Sequence, residues 1–209
     1  IEEYTYSSDG ELIKIEDFSP SGIRYEIDYQ DSKLNEYRTY TRSEGNLISR
    51  DSVLYNKNGT IQAIFNFSGN SEGKLSLAWI YEYEYDNENR LSKKSTFFVK
   101  IQEYTRVEKY FWNESNIEKV AHYNGDRELR HEVFYEYDDK INYQKNIPKH
   151  KTEPINWSGN NVIKMGFKDY SGLLDLSCGP CITEYKYNLD NYPVFIKFNS
   201  GREMKLTYE

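Results

Sequence analysis

Cys178-Gly179-Pro180-Cys181 is the one stretch whose residue types and spacing could carry covalent chemistry unaided. Two thiols separated by two residues support thiol–disulfide exchange when the first is acidified at a helix N-terminus. Here Ile182-Thr183-Glu184-Tyr185 follows and leads into a strand, and no strand–helix–strand pattern surrounds the motif. A local disulfide between Cys178 and Cys181, or two thiols in a turn, is therefore a simpler reading than a redox centre. The even cysteine count agrees with an oxidising compartment. A structural zinc site needs four ligands, and the histidines stand apart at positions 122, 131 and 150. No metal and no cofactor are expected.

Carboxylate pairs are the next candidates: Glu2/Glu3, Glu82/Glu84 and Asp138/Asp139. Glycoside hydrolysis needs two carboxyl groups held about 5–5.5 or 6.5–9.5 Å apart across a cleft. With 34 acidic residues such neighbours arise without purpose. A nucleophile triad needs a histidine oriented by an acid, but His131 and Glu132 are adjacent on an expected strand and so point to opposite faces. The chain is therefore read as a non-enzyme. A glycan-active hydrolase using a carboxylate pair and a thiol–disulfide protein are the alternatives. The basic stretch 145–151 reads as a solvated loop.

The aromatic rows are the remaining chemistry. Tyr occurs 21 times and Phe 10 times, and aromatics make up 16% of a chain that is only 37% hydrophobic. Rings spaced along a sheet stack on flat ligand faces such as sugars. Most of these rings must instead be core, since each buries 150–250 Å², roughly 4–6 kcal/mol at most. Trp79, Tyr81, Trp112 and Trp157 are the candidates for ligand stacking.

The elements that position these residues come from a repeat. Tyr81-Glu82-Tyr83-Glu84-Tyr85-Asp86-Asn87-Glu88-Asn89-Arg90-Leu91 is its cleanest copy: alternating rings, a polar turn, then an apolar restart. Second-aromatic positions 6, 29, 55, 85, 112, 137, 157 and 187 recur at about 26 residues. In Tyr-x-Tyr both rings share a face, and Asp, Asn and Gly then supply hairpin turns. Apolar residues follow at +6 and +9, as Ile61 and Ile64 do after Tyr55. Their opposite parity puts them on opposite faces unless a bulge intervenes. Ile117, Val120 and Ala121 have helical spacing, but Asn113 to Asn116 stands where the other copies turn, so a strand is preferred. Residues 142–155, with Pro148 and Pro154, read as a long loop, and 171–181 as a second insertion.

Eight hairpins and a final half-unit give an all-β, single antiparallel meander of roughly sixteen strands over residues 1–209. Open sheets rarely exceed about ten strands without curling, so an open or closed, water-soluble, barrel-like roll is expected. A membrane barrel would expose Glu82, Glu84, Glu136 and Lys186 to lipid, and no apolar run approaches the roughly 18 residues of a spanning helix. The net charge of −7 disfavours nucleic acid as a partner. The chain starts at Ile1 without methionine, which predicts a removed leader, either a signal peptide or one that leaves a lipid anchor.

Tyr83-Glu84-Tyr85-Asp86 with Arg90-Leu91 resembles the tyrosine–aspartate repeats of the Rhs type. With Tyr4 to Ile15, and Tyr185-Lys186-Tyr187 with Tyr192-Pro193, the chain more closely resembles a family of extracytoplasmic domains from Gram-negative surface lipoproteins. That family has no assigned function and a porin-like fold. The resemblance implies a rolled antiparallel sheet, export and a lipid-modified N-terminus, and carries over no catalytic residues. The expected role is an extracytoplasmic binding or scaffold domain whose partner is carbohydrate or another cell-surface protein.

Overall fold

The hairpin expected after Tyr85 is built as its residue types require. Asp86 N donates to Arg90 O at 2.9 Å and Asn89 N to Asp86 O at 3.1 Å, with Asn89 left-handed at φ 58°. This is a type I turn closed by a left-handed residue. The same pattern recurs at Asn56 with Gly59 (φ 83°), Asn124 with Arg127 (φ 65°) and Asn188 with Asn191 (φ 63°). The first residue is Asp or Asn because its side chain satisfies the turn: Asp86 Oδ1 accepts from Glu88 N and Arg90 N, both at 2.9 Å. Asn188 Oδ1 likewise accepts from Asp190 N and Tyr192 N. Arg127 is the exception among these four turns, where the others place Asn or Gly, and the position costs such a residue roughly 1–2 kcal/mol.

The computed structural model describes residues 2–6, 12–18, 23–30, 33–41, 47–69, 74–142, 154–172, 181–198 and 200–205. It is all-β. The first strands are β1 (Glu2–Tyr6), β2 (Leu12–Phe18), β3 (Ile23–Gln30), β4 (Lys33–Thr41) and β5 (Leu47–Tyr55). Next come β6 (Ile61–Gly69), β7 (Leu75–Tyr85), β8 (Leu91–Phe98), β9 (Glu103–Asn113) and β10 (Asn116–Asn124). The last are β11 (Leu129–Ile141), β12 (Asn160–Asp169), β13 (Cys181–Tyr187), β14 (Pro193–Phe198) and β15 (Glu203–Lys205). Order along the chain is order across the sheet. Among the described residues β1 and β15 are the first and last strands of that order. The fifteen strands fall into two compact units, Ile1–Arg90 with Lys94–Arg106 and Leu91–Lys93 with Val107–Glu209.

Bulges settle the parity of the return strands. Tyr55 pairs with Ile61 but Leu54 with Ala63, so Gln62 is an extra residue. One residue is likewise extra where Tyr6 pairs with Leu12, Tyr29 with Leu34, Tyr123 with Leu129 and Tyr187 with Pro193. The extra residue returns +6 and +9 to one face: Ile61 lies opposite Tyr55 and Ile64 opposite Val53. Pro193 opposite Tyr187 and Ile196 opposite Tyr185 repeat this, and both are buried. Pro193 is tolerated as the first residue of its strand.

At Trp112 and Tyr137 the second ring ties its strand to the preceding hairpin. Tyr137 Oη donates to Ile117 O at 2.7 Å, and Trp112 Nε1 donates to Leu91 O at 2.7 Å. Ile117 and Leu91 are the first apolar residues after the preceding turns, and both are fully buried. Burial raises the Tyr85 phenol to about 12, partly offset by a backbone hydrogen bond at Ile61, the +6 residue before it. Trp112 thus replaces tyrosine without losing the donor.

Two expectations change. Asp138-Asp139-Lys140 is not a turn, because β11 runs through it and pairs directly with β12. Asp138 bonds instead to Asn161 and Tyr187. Trp157 therefore starts no hairpin; it ends a 3₁₀ turn, Pro154–Trp157. Most of the expected loop over 142–155, including the basic stretch, lies outside the described residues, as does most of 171–181. β10 is a strand, with Ile117, Val120 and Ala121 all buried.

Candidate functional site

In the first unit, cross-strand pairing sets Asp51, Asn66 and Trp79 side by side on β5, β6 and β7. Paired residues in an antiparallel sheet share a face, so these three form one row. Asn66 Nδ2 donates to Asp51 Oδ1 at 2.6 Å. Trp79 stacks on Phe98 of β8 with ring centroids 4.2 Å apart and planes 18° apart. The next row on this face is Val53, Ile64 and Tyr81, and Lys94 Nζ stands 5.5 Å from the Tyr81 ring centroid. All of these side chains are half-buried. Burial raises the Asp51 carboxyl pKa, opposed by the Asn66 hydrogen bond. Burial, and then the Asp51 charge, raises the Tyr81 phenol.

This arrangement joins a stacked aromatic pair to an acceptor (Asp51), an amide (Asn66) and an ammonium (Lys94). Such a set suits a ligand with an apolar flat face and polar edges. It brings together two of the four sequence candidates, Trp79 and Tyr81. Trp112 is committed to the backbone of Leu91. Trp157 is half-buried beside Ser158, whose fully buried Oγ accepts from Ile117 N at 3.0 Å. Cys181 is half-buried at the start of β13, whereas Cys178, and with it the expected disulfide, lies outside the described residues.

Sequence reasoning missed a second constellation, in the other unit. His122 and His131 pair across β10 and β11 and stack with centroids 4.2 Å apart. His122 Nδ1 stands 3.4 Å from Oε1 of buried Glu108. Glu108 Oε2 accepts the Tyr110 hydroxyl hydrogen at 2.8 Å. Asp169 pairs with His131 from the far side, and its Oδ1 accepts from Ser171 N and Oγ. Locating the hairpin turn at Asn124 to Glu128, with its extra residue Arg130, would have brought the two histidines together. Glu132 points away from His131 as expected: it accepts from Lys119 Nζ and from Tyr170 Oη, and these bonds lower its carboxyl pKa. Among the described residues no three His, Cys, Asp or Glu side chains are placed to share a metal ion.

No family model matches the chain, and no curated protein matches it. Solved structures do. A porin-like protein from Bacteroides uniformis ATCC 8492 superposes with a TM-score of 0.53 at 10% identity, over 97% of this chain and 84% of that one. The chain is similar in fold to that porin-like protein. A second porin-like protein, from Bacteroides vulgatus ATCC 8482, gives a TM-score of 0.41 at 11% identity, over 99% of this chain and 92% of its own. The TcdB2-TccC3-TEV structure gives 0.47 at 14% identity; 94% of this chain is covered, but it spans only 11% of that much longer one. At such identities the likeness concerns the fold alone.

Proposed function

We propose that the chain is a non-enzymatic, extracytoplasmic β-scaffold of tyrosine–aspartate-type repeats that binds carbohydrate on the Asp51–Asn66–Trp79–Phe98 row. The observation that carries this reading is the half-buried Trp79–Phe98 stack in line with the Asp51–Asn66 pair. The C–H face of a pyranose packs on an aromatic ring, while its hydroxyls reach a carboxylate and an amide at the ring's edge. Tyr81 and Lys94 extend the surface along the strands. The repeat supports a scaffold role, because second aromatics such as Trp112 and Tyr137 are spent on tying neighbouring strands together. Export is supported by the likeness of Tyr83-Glu84-Tyr85-Asp86 and its neighbours to exported repeat domains.

A glycan array probed with the wild-type chain and with Trp79→Ala tests this. The wild type should retain a subset of glycans and the variant should lose them, with affinity falling about tenfold or more. Equal retention by both, or retention of none, would remove the reading.

A further inference from the structure

Among the described residues, nothing packed against Gly166 requires a glycine there. It lies inside β12, where Val133, Phe134 and Tyr135 pair with Phe167, Gly166 and Met165 in unbroken register. There is no bulge at this point. A Cβ built on it meets no atom within 4 Å among the described residues. A glycine inside a strand weakens it, and where no bulge or bend needs one it marks close approach by a ligand or another backbone. Its cross-strand neighbour Phe134 does not account for it either. An aromatic ring laid over a paired glycine would shield the backbone, but among the described residues the space above Gly166 is open and Phe134 is 40% exposed.

The surroundings of this notch are specific. Glu132 and Glu136 flank Phe134 on the same face of β11; Lys164 and Lys168 flank Gly166 on β12. Lys164 Nζ lies 2.5 Å from Glu136 Oε1, and Lys119 Nζ 2.8 Å from Glu132 Oε1. Lys119 also stands 4.3 Å from the ring centroid of Phe111, itself 41% exposed. The floor is an aromatic ring beside bare backbone, and the rim alternates carboxylates and ammonium groups. That rim suits hydroxyls that both donate and accept, and its mixed sign favours a neutral ligand over a charged one.

We propose that the Phe134–Gly166 notch is a second carbohydrate subsite, taking one neutral pyranose ring against Phe134 with its hydroxyls on Glu136, Lys164 and Lys168. The choice of carbohydrate rests on the function proposed above; the site itself stands on another unit and other residues.

Calorimetric titration with cellohexaose, laminarihexaose and mannohexaose, on wild type, Gly166→Val, Phe134→Ala and Trp79→Ala, tests it. Valine fits the open space and the strand, so Gly166→Val should melt at or above the wild-type temperature. At least one hexasaccharide should bind wild type at two sites per chain. Gly166→Val and Phe134→Ala should each weaken one of these sites at least tenfold, and Trp79→Ala only the other. Loss at the notch with Trp79 binding absent would sink the first proposal and keep this one. Wild-type behaviour of Gly166→Val, loss of all binding in Trp79→Ala alone, or no binding by any of the three sugars would overturn it.

Discussion

Replacing Asp86 by alanine or by asparagine separates the two functions of the turn residue. Oδ1 accepts two backbone N–H groups at 2.9 Å, and Oδ2 accepts Arg90 Nε at 2.8 Å. The two backbone bonds resemble a helix cap, for which removal costs about 1–2 kcal/mol. The Arg90 pair is partly exposed, 28% and 27% on its two side chains, and is worth about 0.5 kcal/mol after screening. Asp86→Ala should therefore lose about 2 kcal/mol, moving the urea midpoint by roughly 1 M. Asp86→Asn keeps the Oδ1 acceptor and should lose only about 0.5 kcal/mol. Desolvation pushes the Asp86 carboxyl upward, but the hydrogen bonds from Arg90 and Glu88 outweigh it and leave the folded pKa lowered. A lowered folded value gives stability that is present above the unfolded value near 3.9 and is lost as pH falls through the folded one. The gap between wild type and Asp86→Asn should accordingly close as pH falls from 5 toward 2. Equal loss in Ala and Asn at pH 7 would refute the assignment of the turn to Oδ1. A gap that does not change with pH would refute the ion-pair component.

Ser158→Ala should cost about 1–3 kcal/mol, because buried Ile117 N loses its acceptor. Hydrogen exchange at the Ile117 amide should accelerate, and unchanged protection would contradict the assignment. The Tyr85 phenol is raised to about 12, chiefly by burial. Its contribution is complete below the unfolded value near 10 and is lost as pH rises through about 12. Tyr85→Phe should therefore flatten the alkaline limb of a stability–pH profile, and an unchanged slope would count against burial of that hydroxyl.

The repeat was legible because Tyr-x-Tyr-Asx is a local instruction. Alternation sets the strand, and Asp or Asn caps the turn with its own side chain. The bulge after Ile61 or Pro193 was not legible, since it shifts a register between strands rather than changing a residue type. Asp138 misled for the same reason. It carries turn chemistry, but its partners Asn161 and Tyr187 lie 23 and 49 residues away. Of the proposed row, Trp79 and Tyr81 were picked out by residue type alone. Asp51 and Asn66 were not, because only pairing across three strands places them beside Trp79. Gly166 was silent for a related reason: its meaning depends on what stands opposite it.

The most direct test of the proposed binding surface uses the three tryptophan indole N–H groups in a ¹H–¹⁵N spectrum during titration with an oligosaccharide retained on the array. The Trp79 resonance should shift with saturation, while Trp112, bonded to Leu91 O at 2.7 Å, should stay in place. A static Trp79 under saturating sugar, or a shift confined to Trp112 and Trp157, would contradict it.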